Sequence, residues 1–147
     1  MRVPVALRLG RVSNLPTVWT NVLAACALAG SEEAWPVTLH LCIAMSLFYV
    51  GGMYLNDAFD RRIDAIERPE RPIPSGLVRA RTVFLAGFGL LALGLLTLTW
   101  VAASQAKTNI LPAALCGAAT AALIVLYDVF HKQNPWSPVL MGLCRVG

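Results

Sequence analysis

Three aspartates lie at the end of a long apolar segment, in the sequence N-D-A-F-D-R-R-I-D that begins at Asn56. On a helix that turns about 100° per residue, Asp57, Asp60 and Asp64 fall within about 60° of one another. Carboxylates stacked on one helix face repel each other unless a cation lies between them. Mg²⁺ is the simplest such cation, because it binds carboxylate oxygens and leaves positions for phosphate oxygens. The cluster therefore predicts a magnesium site for a lipid diphosphate at a membrane.

Two arginines follow the aspartates on a proline-rich segment. Arg68 and Arg71 alternate with Pro69, Pro72 and Pro74. Because proline disfavours helix in the residue before it, the segment is expected to be stiff and irregular. A guanidinium group can bind phosphate oxygens through two parallel hydrogen bonds. We therefore expect both arginines to bind a diphosphate; in the alternative reading they only fix the side of the membrane that the loop occupies.

The composition is that of a membrane protein. Of 147 residues, 57% are hydrophobic and 14% are charged, against about 25% charged in soluble domains. Four stretches lack Asp, Glu, Lys and Arg, and each reaches the roughly 20 residues that cross a bilayer: 12–31, 34–56, 82–106 and 108–127. The shorter apolar segment 138–144 is interpreted as the start of a fifth helix. The sequence thus predicts an all-α, polytopic transmembrane helix bundle, with four complete spans plus the start of a fifth. We expect one domain, 1–147, truncated at its C-terminus.

The basic residues predict the orientation in the membrane. They are concentrated in alternate loops, in agreement with the positive-inside rule: Arg2, Arg8 and Arg11, then six arginines between Arg61 and Arg81, then Lys132. The first loop carries Glu32 and Glu33, and the third only Lys107. We expect an integral membrane protein, in the plasma membrane if the source is a prokaryote, with the N-terminus and the aspartate-rich loop cytoplasmic. The arginines alternate with acidic residues, so the net charge of +4 does not predict a nucleic-acid partner.

The stretch 56–76, N-D-A-F-D-R-R-I-D-A-I-E-R-P-E-R-P-I-P-S-G, resembles the first aspartate-rich signature of the UbiA superfamily of intramembrane prenyltransferases. The segment L-G-R-V-S-N, which includes Arg11 and Asn14, resembles the R-P-x-N opening of the family's first helix, with Val12 in place of the usual proline. The segment from Tyr127 to Lys132 resembles its Tyr-plus-Lys element. The resemblance is collinear over nearly the whole chain.

The resemblance implies a nine-helix bundle around a central cavity, of which this chain carries the first half, and a second aspartate-rich motif after the sixth helix. It implies Mg²⁺-dependent transfer of a prenyl group from an isoprenoid diphosphate to an aromatic or other hydrophobic acceptor. Asp57, Asp60 and Asp64 are the implied catalytic metal ligands. The implied substrate-binding residues are Asn56, Arg68, Arg71, Tyr127, Lys132, Arg11 and Asn14. The R-P-I-P-S-G ending resembles the branch that uses geranylgeranyl or phytyl donors.

The sequence also suggests roles for three aromatic residues and two glycines, and it leaves alternative functions open. Tyr54, Phe59 and Tyr127 are candidates for stabilising an allylic cation, or are interface anchors. Gly51 and Gly52 are expected to allow close helix approach.

One alternative function is that of a non-catalytic membrane scaffold or transporter fragment, in which the carboxylates bind a cation. A CDP-alcohol phosphotransferase is disfavoured, because the sequence contains no D-G-x-x-A-R element.

Overall fold

A computed structural model of the protein describes residues 3–30, 35–105, 109–130 and Gly142. The described residues form helices and turns and contain no strand, so the predicted all-α class is confirmed. The elements are α1 (Val3–Leu9), a short 3-10 turn (Val12–Asn14), α2 (Leu15–Leu28), α3 (Trp35–Phe59), α4 (Arg61–Glu67), α5 (Ala80–Ser104) and α6 (Ile110–Phe130).

Three of these helices are long and apolar enough to cross a membrane: Trp35–Phe59, Ala80–Ser104 and Ile110–Phe130. The predicted count of four spans is not confirmed. The first predicted span contains α2, which has only 14 residues. At ~1.5 Å per residue, α2 rises about 21 Å, less than the ~30 Å of a bilayer core. The predicted fifth helix lies, apart from Gly142, outside the described residues, and the nine-helix bundle remains a prediction.

The outer faces of the long helices are apolar and exposed. Leu85 and Leu96 on α5 are 67% and 64% exposed, and Leu111 and Leu115 on α6 are each 61% exposed. A helix that is hydrophobic on all sides is either enclosed by protein or faces lipid. With these side chains on the outside of the described helices, the arrangement is that of an integral membrane protein.

Helix α3 lies at the centre, with α5, α2 and α6 packed around it. Two glycine positions bring the backbones close together. A Cβ on Gly51 would lie 3.0 Å from the carbonyl oxygen of Gly87, and a Cβ on Gly52 would lie 2.9 Å from Cγ2 of Ile124. Small residues permit such contacts between membrane helices. The predicted close approach at Gly51 and Gly52 is therefore present, with α5 at the first and α6 at the second.

An irregular segment joins α4 to α5, and we call residues 68–79 the strap. Arg68 leaves the helical region (φ −145°, ψ 63°), as expected for a residue that precedes a proline. Arg79 is extended (φ −76°, ψ 135°), and α5 begins at the next residue. Within the strap, the amides of Ser75 and Val78 donate to the carbonyl oxygens of Arg71 and Pro72, at 3.0 and 3.2 Å. These bonds fold the strap back on itself.

Candidate functional site

The three aspartates lie across the junction of two helices. Asp57 is in the last turn of α3, Asp60 lies between α3 and α4, and Asp64 is in α4. The amide of Asp60 donates to the carbonyl oxygen of Asn56 and that of Asp64 to Asp60, both at 2.9 Å. These bonds keep the spacing of a helical turn through the junction. All three residues are buried, at 7%, 7% and 2% exposed.

Arg71 on the strap lies between two of these carboxylates. Its Nη1 donates to Asp57 Oδ1 at 3.1 Å and to Asp64 Oδ2 at 2.7 Å. Burial lowers the pKa of Arg71, but the hydrogen bond to Asp64 and the charges of Asp57, Asp64 and Asp60 outweigh burial and raise the pKa above its ordinary value. Arg71 is therefore a fixed positive charge that relieves the repulsion between the aspartates.

A second arginine reaches the cluster from the N-terminal segment. Arg11 Nη2 donates to Asp57 Oδ1 at 3.4 Å. Arg11 is the one described non-glycine residue with a positive φ (44°), a conformation that is uncommon outside glycine. The turn at this position joins α1 to the 3-10 turn and directs the side chain toward α3. Asp57 is thus paired with arginines that are 46 residues before it and 14 residues after it.

A third polar contact with this end of α3 comes from α6. Asn56 Nδ2 donates to Asp128 Oδ1 at 3.3 Å, and Asp128 is only 4% exposed. The sequence reading assigned no role to Asp128. The sequence feature that could have identified Asp128 is its position as a single acidic residue near the end of an otherwise uncharged span. Charges within a membrane commonly mark functional sites. Asn56, one of the predicted substrate-binding residues, is held by this carboxylate.

The other residues predicted to bind substrate are Arg68, Asn14, Tyr127 and Lys132, and they differ in where the structure places them. Arg68 and Asn14 are exposed, and within the described ranges the Arg68 side chain makes no hydrogen bond or ion pair. Tyr127 is partly buried at the end of α6, next to Asp128. Lys132 lies outside the described residues. The structure therefore separates the two strap arginines, which the sequence reading treated alike.

Two of the three aromatic candidates have packing roles. Tyr54 is buried against Leu9 and donates its hydroxyl to the carbonyl oxygen of Ala6 at 3.1 Å. Phe59 packs edge-on against Phe84, with ring centroids 5.0 Å apart. These contacts join α1 and α5 to the end of α3 that carries the aspartates.

Sequence comparison assigns the family. The family model described as the UbiA prenyltransferase family matches residues 16–146. The chain belongs to this family. The resemblance that was based on the stretch 56–76 is thereby confirmed.

Individual relatives of this UbiA-family chain share one name. A digeranylgeranylglyceryl phosphate synthase of Methanosarcina mazei is 45% identical over 121 residues, which are 79% of this chain and 37% of that protein. The synthase of the same name from Methanoregula boonei is 30% identical over 129 residues, 86% of this chain and 42% of that protein. The chain thus spans less than half the length of these relatives.

One solved structure has the same fold. It comes from work on digeranylgeranylglyceryl phosphate synthase in membranes and matches this chain with a TM-score of 0.83 at 24% identity. The match covers 97% of this chain and 49% of that one. The helix arrangement described above is therefore the arrangement of this solved structure over about half of its length.

The family implies Mg²⁺, and the residues present suit it only in part. The donor type fits, because Mg²⁺ prefers carboxylate oxygens. Asp57 and Asp64 also converge on a single cationic nitrogen. Among the residues that the structure describes, however, no group of three or more His, Cys, Asp or Glu side chains is arranged to hold a metal ion. In the described structure, Arg71 Nη1 lies between Asp57 and Asp64, where the sequence reading expected the ion.

Proposed function

We propose that this UbiA-family protein is a Mg²⁺-dependent membrane prenyltransferase that uses an isoprenoid diphosphate as donor. The observation that carries the proposal is a buried cluster of acidic side chains, contacted by two arginines, at the end of a bundle of apolar helices. Buried carboxylates are unfavourable unless cations compensate them. Such a cluster suits a substrate with a polar diphosphate and an apolar tail.

We propose that the acceptor is a prenylated glyceryl phosphate. The sequence reading left an aromatic acceptor open, but the matched relatives are named digeranylgeranylglyceryl phosphate synthase. By that name, their product carries two geranylgeranyl groups on glyceryl phosphate. A geranylgeranyl diphosphate donor and a geranylgeranylglyceryl phosphate acceptor together account for such a product. This assignment also agrees with the donor branch that the R-P-I-P-S-G ending resembles.

In the proposed reaction, the bond between the donor's allylic carbon and the diphosphate oxygen breaks. The diphosphate leaves with the electron pair, the acceptor hydroxyl oxygen bonds to the carbon, and the hydroxyl proton passes to the released diphosphate. If Mg²⁺ binds to Asp57, Asp60 and Asp64, it would supply charge neutralisation at the leaving diphosphate. Arg71 and Arg11 lie beside Asp57 and can donate to phosphate oxygens from the strap and from the N-terminal segment.

An apolar cavity offers a place for the prenyl tail. It has a volume of about 520 Å³ and is lined from Val50, near the aspartate end of α3, to Trp35 at the opposite end. Trp19 of α2 and Leu90 of α5 also line it, and Trp19 Nε1 donates to Ser46 Oγ at 3.0 Å. A hydrocarbon chain in this cavity would keep its apolar surface away from water. The cavity's course along α3 therefore supports a long isoprenoid donor.

Replacing Asp57 tests the proposed function. Asp57→Asn keeps the shape of the side chain but removes the charge that pairs with Arg11 and Arg71. Removal of one preorganised electrostatic group commonly lowers kcat by about 10²–10³-fold. The measurement is pyrophosphate release by the full-length protein, with geranylgeranyl diphosphate and geranylgeranylglyceryl phosphate, in Mg²⁺ and in excess EDTA. Wild-type release that EDTA does not diminish would exclude Mg²⁺. Absence of release in Mg²⁺ would favour the scaffold or transporter alternative.

A further inference from the structure

We infer that Asp128 is a positioning residue of the prenyl-transfer site, and that it acts by fixing the orientation of the Asn56 side-chain amide. The inference rests on the proposed function. Its basis is the hydrogen bond of 3.3 Å from Asn56 Nδ2 to Asp128 Oδ1, which joins two helices across 72 residues of sequence. Asp128 is buried, so this contact lies inside the bundle.

The chemistry of the two side chains explains why a carboxylate is suited to this role. An ionised carboxylate only accepts hydrogen bonds, whereas a side-chain amide both donates and accepts. The amide of Asn56 can turn end for end with little change in shape. Beside an ionised Asp128 the orientation with Nδ2 toward α6 is favoured, and the structure has this orientation. The carbonyl oxygen of Asn56 is then on the side of the amide away from Asp128, where it can accept a hydrogen bond or bind a cation.

Backbone packing independently sets the register of this pair. Gly52 lies one turn before Asn56, and Ile124 lies one turn before Asp128. A Cβ on Gly52 would lie only 2.9 Å from Cγ2 of Ile124. The absence of a side chain at Gly52 therefore lets α6 approach α3 one turn below the hydrogen bond, which brings Asp128 within reach of Asn56.

The location of Asp128 is costly, as is typical of functional charges. The charges of Asp60 and Asp57 act on Asp128, and all three carboxylates are buried. A buried charge near like charges is unfavourable. If packing were the only requirement, an uncharged side chain of the same size would fill this position at lower cost. Ionisable groups inside membrane helices are commonly functional.

The test uses Asp128→Asn in the full-length protein, purified in detergent. The variant keeps the volume of the side chain but can meet either end of the Asn56 amide. Loss of a residue that orients an active-site group commonly lowers activity by about 10–100-fold. We expect kcat with geranylgeranyl diphosphate and geranylgeranylglyceryl phosphate to fall by this factor. We expect Tm to stay equal or to rise, because a buried charge has been removed. A merely structural residue would give the opposite result, with a lower Tm and an unchanged kcat.

A double-mutant cycle tests whether Asp128 acts through Asn56. Asp128→Ala should lower kcat in the wild type, but should change it less than about twofold when Asn56→Ala is already present. Independent roles would instead multiply the two losses and overturn the inference. Thr120→Val is the matched control. Thr120 is buried on the same helix, and among the described residues its hydroxyl donates only to the carbonyl oxygen of Cys116 in its own helix, at 2.9 Å, so kcat should be unchanged.

The outcomes separate this inference from the proposed function. If the wild type releases no pyrophosphate in Mg²⁺, the proposed function fails and the inference fails with it. If the wild type is active and Asp128→Asn retains the wild-type kcat, only the inference fails. If Asp128→Ala does not fold, the isosteric Asp128→Asn variant decides the question by its kcat and Tm.

Discussion

Arg71 shows how the chain compensates its own buried charges. A guanidinium nitrogen lies between Asp57 and Asp64, at 3.1 and 2.7 Å, and compensates two of the three carboxylates. Removal of one partner from a buried ion pair leaves an uncompensated charge and is strongly destabilising. Arg71 should therefore contribute to the folded site as well as to substrate binding, whereas the exposed Arg68 can contribute only to binding.

The two strap arginines make a matched pair of substitutions. Arg71→Lys keeps the charge but loses the planar fork, and a charge-assisted hydrogen bond contributes about 1.5–3 kcal/mol. We expect Arg71→Lys to lower kcat/KM for the donor about tenfold or more. Arg68→Lys should remain within about twofold of the wild type, because the Arg68 side chain has no partner among the described residues and lysine keeps its charge. Donor kinetics of both full-length variants provide the measurement.

Loop accessibility on the same samples provides the control for this pair. Both substitutions preserve the positive charge that orients the loop, so labelling of the strap should be unchanged. Equal kinetic losses in both variants would show that the difference in burial does not matter. Wild-type kinetics in both would return the arginines to the alternative reading, in which they only set topology.

Residue types were predicted more successfully than residue partners. The sequence predicted a compensated aspartate cluster, and the structure contains one. Arg71 contacts two of these carboxylates in the structure, and the predicted Mg²⁺ stays a prediction. The partners Arg11 and Asp128 lie 46 and 72 residues from the groups they contact. Such pairs depend on how the helices pack, and no local pattern in the sequence specifies them.

At the scale of the helices, the aspartates were expected to share one continuous helix, but α3 ends at Phe59 and α4 begins at Arg61. No proline or glycine lies between Asn56 and Asp64, so the sequence contained no breaking signal. The backbone bonds through Asp60 preserve the helical spacing, and the predicted grouping therefore survives the break. The strap, in contrast, was predictable, because prolines exclude helix in a way that does not depend on packing.

The contact of α3 with α5 gives a second prediction with a matched control. A Cβ on Gly87 would lie 2.8 Å from Cγ and Cδ2 of Leu55, whereas a Cβ on Gly89 meets nothing within 4 Å. Overpacking typically destabilises by about 1–3 kcal/mol. We expect Gly87→Ala to lower Tm and, because Leu55 precedes Asn56 and Asp57, also to lower kcat. Gly89→Ala should match the wild type. Thermal unfolding and donor turnover of both variants in detergent test this, and equal behaviour of the two would contradict it.

At the scale of the whole molecule, a surrounding bilayer explains why the outer surface is apolar. The most apolar part of α6 is only 11% buried within the described structure, so lipid or further helices must cover its apolar side chains. Among the elements, α1, α4 and the strap lie at the aspartate end. Helix α2 runs from this end along α3, since Trp19 contacts Ser46 and Leu23 and Trp35 line one cavity. Whether α2 crosses the membrane decides between three and four spans.

We expect α2 to cross despite its length. Its end is followed by Glu32 and Glu33, and carboxylates within hydrocarbon are expensive enough to draw this end to the interface. Local thinning of the bilayer can accommodate a short helix at a fraction of a kcal/mol per ångström. The test places single cysteines in a cysteine-free full-length protein and labels them with a membrane-impermeant maleimide from each side. Ser75→Cys on the strap should react from the cytoplasmic side, and Ser104→Cys at the end of α5 from the other. Ala29→Cys should react together with Ser104→Cys. Protection of Ala29→Cys from both sides would mean that α2 ends inside the bilayer and that three described helices cross it.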